Sequence, residues 1–199
     1  MTLLNNPFVT SGYIAPEYFC DRERETEELL RWLVNENNVA IISTRRMGKT
    51  GLIQHCFHLK EIKENYYTFL IDIYATKTLR EFVFQLGKVI LATLKPKGQK
   101  AWELFVNSLV SLKAGFSLDM SGMPQWNLEL GDIKSPETTL DEIFHYLAVS
   151  DKPCIIAIDE FQQVAQYPEK NTEALLRTYV QHCDKAHFSI CRFTTSFDG

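Results

Sequence analysis

The sequence predicts a three-layer α/β/α domain built around a mainly parallel sheet, and three observations predict it. An apolar run at 39–42 (Val39-Ala40-Ile41-Ile42) leads through Ser43-Thr44-Arg45-Arg46-Met47-Gly48-Lys49-Thr50-Gly51 straight into the helical pattern at 52–57, so strand, loop and helix follow without a break. A second apolar run, Cys154-Ile155-Ile156-Ala157-Ile158, has strand length and ends in Asp159-Glu160-Phe161. Near-continuous hydrophobicity marks a central parallel strand covered on both faces. Between and after these runs, strand and helix patterns alternate, as βαβ units require.

The elements follow in order. Residues 1–20 read as loop, with Pro7, Gly12 and Pro16 set among Phe8, Tyr13, Tyr18 and Phe19. Asp21 is placed to N-cap a helix over 23–35 that carries Leu29, Leu30 and Leu33 on one face. Asn37-Asn38 turns the chain into the first strand, and residues 36–60 form one strand-loop-helix unit. A second strand is expected at 66–73. A long helix follows at 79–94, broken by Lys95-Pro96-Lys97-Gly98. An amphipathic helix is expected over 101–112. Residues 114–130 then alternate on both sides of Ser121-Gly122, a hairpin signal, and the stretch 95–134 reads as a helix and hairpin inserted into the core. Ser135-Pro136 opens a helix to about 149. The region 150–199 supplies the second apolar strand, a loop with Pro168, a helix over 171–183 and a last strand over 188–193. No internal repeat or low-complexity tract interrupts the reading as one domain over 1–199.

Composition narrows the function classes. The chain has 199 residues, enough for one α/β domain with a sizeable core. Its net charge of −4 gives no electrostatic footprint for nonspecific nucleic-acid binding, although a local basic patch stays open. The first residues lack a charged and apolar leader pattern and no run is long enough to span a bilayer, so a cytoplasmic protein without a membrane partner is expected. Cys20, Cys56, Cys154, Cys183 and Cys191 stand singly and read as small buried hydrophobes in a reducing compartment. His55 and His58 lie three apart on the predicted loop helix. With no carboxylate at matching spacing they are taken as surface histidines rather than metal ligands.

The chemistry gathers at the loop. Successive backbone N–H groups at a helix start, together with the positive end of its dipole, cradle polyphosphates. Lys49 would sit on the β- and γ-phosphates and the Thr50 hydroxyl on Mg²⁺. The Walker A pattern wants glycine where this chain has Ser43. The remaining Gly48-Lys49-Thr50 would occur by chance in roughly one chain in ten of this length. The second motif therefore carries the argument: two carboxylates at the end of a buried strand are costly unless they serve an ion. Asp159 suits Mg²⁺ coordination, and Glu160 is placed to polarise an attacking water.

With these motifs the chain resembles the AAA+-related STAND P-loop ATPases, specifically the archaeal-type ATPases. The resemblance rests on Asn6-Pro7-Phe8, on Phe19-Cys20-Asp21-Arg22-Glu23-Arg24-Glu25, on Arg45-Arg46-Met47-Gly48-Lys49-Thr50 and on Ile158-Asp159-Glu160-Phe161. It implies a P-loop NTPase core that binds ATP or ADP with Mg²⁺ and hydrolyses ATP to ADP and phosphate as a conformational switch for an attached domain or protein partner. Residues 43–51 would hold the phosphates, with Lys49 and Glu160 catalytic, Thr50 and Asp159 on the metal, and Phe8 and Arg22 on the adenine side. Cys20-Asp21 departs from the family's pattern there. Arg45 and Arg46 would neutralise phosphate charge or serve a domain contact.

The resemblance further implies that the 188–193 strand lies between the other two motif strands, with Thr194, Thr195 or Ser196 touching the γ-phosphate or the water. Family members continue into a further strand and a helical lid. The expectation here is a truncated core, self-associating through the exposed edge at 39–43, with weak affinity and slow turnover. Two alternatives share the core: a nucleic-acid-associated loader or transposition ATPase, and a nucleotide-binding interaction module without efficient hydrolysis.

Overall fold

The structure is a computed structural model that describes residues 13, 15–19, 21–44, 47–94, 99–118, 124–126, 129–183 and 186–193. In chain order the elements are α1 (Glu23–Val34), β1 (Val39–Ser43), α2 (Lys49–His58), α3 (Lys60–Asn65), β2 (Tyr67–Asp72), α4 (Leu79–Leu94), α5 (Gln99–Ser108), β3 (Phe116–Leu118), β4 (Pro124–Trp126), α6 (Pro136–Val149), β5 (Cys154–Asp159), α7 (Thr172–His182) and β6 (Ala186–Phe193). Strands β1, β6, β5 and β2 form one parallel sheet in that order, with Ser43 opposite Phe193, Ile158 opposite Ile190 and Asp72 opposite Asp159. The last strand thus lies between β1 and β5, as the resemblance implies. β3 and β4 form a separate antiparallel ladder.

The pleat of β5 explains the three layers. Ile156 and Ile158 point into a core shared with α4, α5, α6 and α7, where Phe69, Phe82, Phe105 and Tyr146 are fully buried. Ile155 and Ala157 point the other way, into a smaller core under α1, α2 and α3 with Leu33, Ile53 and Ile62. Each fully buried isoleucine stabilises the fold by roughly 1.5–3 kcal/mol, so a strand buried on both faces anchors both layers at once. Cys56, Cys154 and Cys183 are buried free thiols, and burial pushes Cys56 up to about 12, which makes it a packing group and not a nucleophile. Cys20 lies outside the described residues.

The structure corrects three expectations. Asp21 does not cap α1: its carboxylate accepts from the Arg22 N–H at 2.8 Å, and the cap position is Arg22, in the left-handed region at φ 71°. The helix expected over 101–112 ends at Ser108 and passes into a 3₁₀ stretch, Val110–Gly115. There Ser108 Oγ donates back to Leu104 O at 2.8 Å, and Glu142 of α6 accepts from the Ser111 N–H, so side chains take over where helical bonds stop. Finally, α3 and the 3₁₀ turns Pro16–Tyr18 and Phe161–Gln166 fill stretches read as connections, and a 3₁₀ turn, Leu130–Asp132, begins at the last residue of the expected hairpin. No helix among the described residues is long and apolar enough to cross a membrane.

Candidate active site

Parallel pairing brings the carboxyl ends of β1 and β5 to the same edge of the sheet, and the motif residues meet there. After β1 the chain passes Thr44 and Met47 to Gly48, which sits at φ 68° as the cap of α2, a conformation glycine adopts without steric cost. Lys49 opens the helix and is only 5% exposed. A buried ammonium needs acceptors. Its Nζ donates to Ser43 O at 3.1 Å, Ser43 Oγ at 3.1 Å and Thr44 O at 3.3 Å.

Thr50, one residue further along α2, donates from Oγ1 to Asp159 Oδ2 at 2.5 Å, joining the helix start to the end of β5. The other Asp159 oxygen accepts from the Glu160 N–H at 3.0 Å, so this carboxylate is held at both ends. Glu160 itself is left-handed at φ 61° and opens the 3₁₀ turn Phe161–Gln166, and its Oε2 accepts from Gln162 Nε2 at 2.5 Å. Gly51 lies within the first turn of α2, and Met47 is exposed.

The segment before α1 closes on the same helix start. Arg22 Nη1 donates to Gly48 O at 3.4 Å, while its Nε lies 3.5 Å from the Glu25 carboxylate. Phe19 stacks on His55 of α2 with centroids 4.2 Å apart and planes 13° apart, and Tyr13 lies 5.1 Å from the His58 ring. Tyr13 Oη and His55 Nδ1 are 3.4 Å apart. Burial, then the neighbouring His58, lowers the His55 pKa below its ordinary value, which disfavours the charged ring beside its aromatic neighbours.

Sequence reading took the two histidines as plain surface residues. Their role in seating Phe19 was missed because contacts across more than thirty residues leave no local pattern; an aromatic residue before a charged helix start was the only signal. Gln162 was missed as well. Phe8, Arg45, Arg46, Thr194, Thr195 and Ser196 lie outside the described residues.

The described residues include no group of three or more His, Cys, Asp and Glu able to hold a metal. The donor pair Thr50 Oγ1 and Asp159 Oδ2 nevertheless suits Mg²⁺, which keeps waters and substrate oxygens and takes only one or two hard oxygen ligands from a protein. The arrangement thus offers a helix N-terminus and a buried cation from the loop after β1, and a hard-oxygen pair that joins that helix to the end of β5, where Glu160 follows.

The Walker-type ATPase PABY2304 of Pyrococcus abyssi superposes with a TM-score of 0.58 at 21% identity, over 94% of this chain and 49% of that one. The Aeropyrum pernix ORC1 protein, solved in complex with DNA, gives 0.53 at 12% identity over 88% of this chain and 40% of its own length. The Aeropyrum pernix ORC2 protein, solved in ADPNP-ADP complexes, gives 0.52 at 15% over 86% and 41%. These likenesses show a shared P-loop NTPase fold, and the chain spans about half the length of these structures or less. Among curated protein sequences none matches. Residues 19–199 match the model of an ATPase domain predominantly from Archaea, and the chain belongs to that family as an ATP-binding ATPase domain.

Proposed function

We propose that the chain binds Mg²⁺-ATP and Mg²⁺-ADP at residues 43–51 and hydrolyses ATP to ADP and phosphate as a STAND-like conformational switch in the cytoplasm. The observation that supports this best is the Thr50–Asp159 bond, which sets a hydroxyl and a carboxylate side by side against a helix start. On this reading the α2 amides and Lys49 orient the phosphates, and Thr50 and Asp159 hold Mg²⁺, whose bound charge offsets that of the phosphates. Glu160 takes a proton from water once its carboxylate leaves Gln162. Arg22 and Phe19 border the nucleotide from the segment before α1. The hairpin region is an insertion that leaves this site untouched, and the outer edge of β1 is a surface for a second copy, read by sedimentation. A DNA-associated reading draws on the ORC1 protein solved with DNA; the net charge of −4 opposes it.

Calorimetry with Mg²⁺-ADP and Mg²⁺-ATP tests the proposal. Lys49→Ala should lose about tenfold to a hundredfold in affinity, the worth of one charge-assisted hydrogen bond, with circular dichroism unchanged. Asp159→Asn should remove most of the Mg²⁺ dependence. Glu160→Gln should keep affinity and lose about 10²–10⁴ in turnover. Unchanged affinity in Lys49→Ala overturns the site. Wild-type turnover no greater than that of Glu160→Gln leaves a nucleotide-binding module.

A further inference from the structure

We propose that the Ser43 hydroxyl is a positioning group for the Lys49 ammonium and sets how readily that ammonium turns to a phosphate, an inference resting on the reading that residues 43–51 bind nucleotide. At the first position of such a loop a glycine would offer Lys49 only a main-chain carbonyl. Serine adds an acceptor. Ser43 Oγ donates its own proton to Thr44 O at 3.2 Å, which leaves its lone pairs for the ammonium 3.1 Å away.

With Ser43 O and Thr44 O, Ser43 Oγ is one of three oxygens that accept from the ammonium within 3.3 Å. The serine cannot drift to relax this set, because its backbone is fixed by β1 pairing with Phe193. Phosphate oxygens at the α2 start therefore compete with Ser43 Oγ for the same proton. Serine at this position lowers nucleotide affinity by holding the lysine back.

The test uses the whole chain, with Mg²⁺-ADP and inorganic pyrophosphate as calorimetric probes. Ser43→Ala should bind both about three- to tenfold more tightly, the worth of one competing hydrogen bond. Ser43→Thr, which restores the hydroxyl, should return to wild-type affinity. A second readout needs no ligand. Ser43→Ala should lower the melting temperature of the free protein more when Lys49 is present than in a Lys49→Met background, where only the hydroxyl's bond to Thr44 O is lost, whereas a merely structural serine would lower it equally in both. Weaker or unchanged binding by Ser43→Ala, or equal melting shifts in the two backgrounds, overturns the positioning role while leaving the nucleotide site intact. Wild-type protein that binds neither probe overturns the underlying reading and this inference with it.

Discussion

β5 and β1 are neighbours but one in the same sheet, and each delivers half of the site, yet their surroundings differ sharply. All six residues of β5 are buried, including Asp159 at its end. In β1 Val39 and Ile41 pack half-buried against the smaller core while Ala40 is exposed, and Ile42 is 59% exposed. The cause is coverage. β5 has strands on both sides and helices on both faces, whereas β1 pairs only with β6 among the described residues. On its other face β1 opens onto an apolar groove of about 380 Å³ bordered by Ile42, Phe82, Leu86, Phe144 and Leu176. The carboxylate half of the site is thus carried on a strand packed on both faces, whereas the lysine half follows a half-exposed strand and is held by hydrogen bonds within its own loop. The second kind of restraint yields at lower cost.

The largest effect should separate the two strands. Ile156→Ala, which empties a fully buried position, should cost about 2–5 kcal/mol in denaturant unfolding, against under about 0.5 for Ile42→Ala. Equal losses would show that the β1 face is covered in solution and would break the comparison. Next comes the link between the halves. Thr50→Val leaves Asp159 short of a donor and should cost about 1–3 kcal/mol. A neutral result would show that the two halves are not coupled through this bond.

Gly48→Ala tests the lysine half alone. An added Cβ would meet Arg22 Nη1 at an ordinary 3.5 Å, so the cost of about 1–2 kcal/mol comes from holding a side chain at φ 68°. The smallest effect concerns pH. Because the folded His55 pKa is lowered, the unfolded chain takes up its proton first. The stability contributed by neutral His55 is complete above about pH 6.5 and falls away as pH drops toward the lowered value. The melting temperature should fall further between pH 7.5 and 5.5 in wild type than in His55→Gln. Parallel declines would remove His55 from the packing of Phe19.

Much of this was legible in the chain because the physics involved is local. The β5 run is apolar because both faces are covered, and Gly48-Lys49-Thr50 announces itself because a sharp turn into a helix restricts residue choice. Ser135-Pro136 opened α6 where expected, since proline's fixed φ suits a first helical turn. What stayed hidden depends on distance or brevity. α3 has six residues and buries only Ile62, too short for a helical period to show. Arg22 stands at the cap of α1 in place of Asp21, and its guanidinium reaches Gly48, twenty-six positions away, a contact no local pattern announces. The Gln162 amide on Glu160 follows from a left-handed turn that composition does not announce.

The Thr50–Asp159 bond spans 109 positions of chain. On a ribosome adding roughly 5–20 residues per second, the helix carrying Thr50 waits on the order of 5–20 s before its partner is made. During that interval β1 lacks its neighbour β6 as well, since that strand is synthesised later still. A chain ordered β1–β6–β5–β2 therefore completes its site last, from contacts of long sequence separation, the kind that fold slowly. Chains shorter than 159 residues lack the carboxylate altogether, and the strand that lies between β1 and β5 comes only after it.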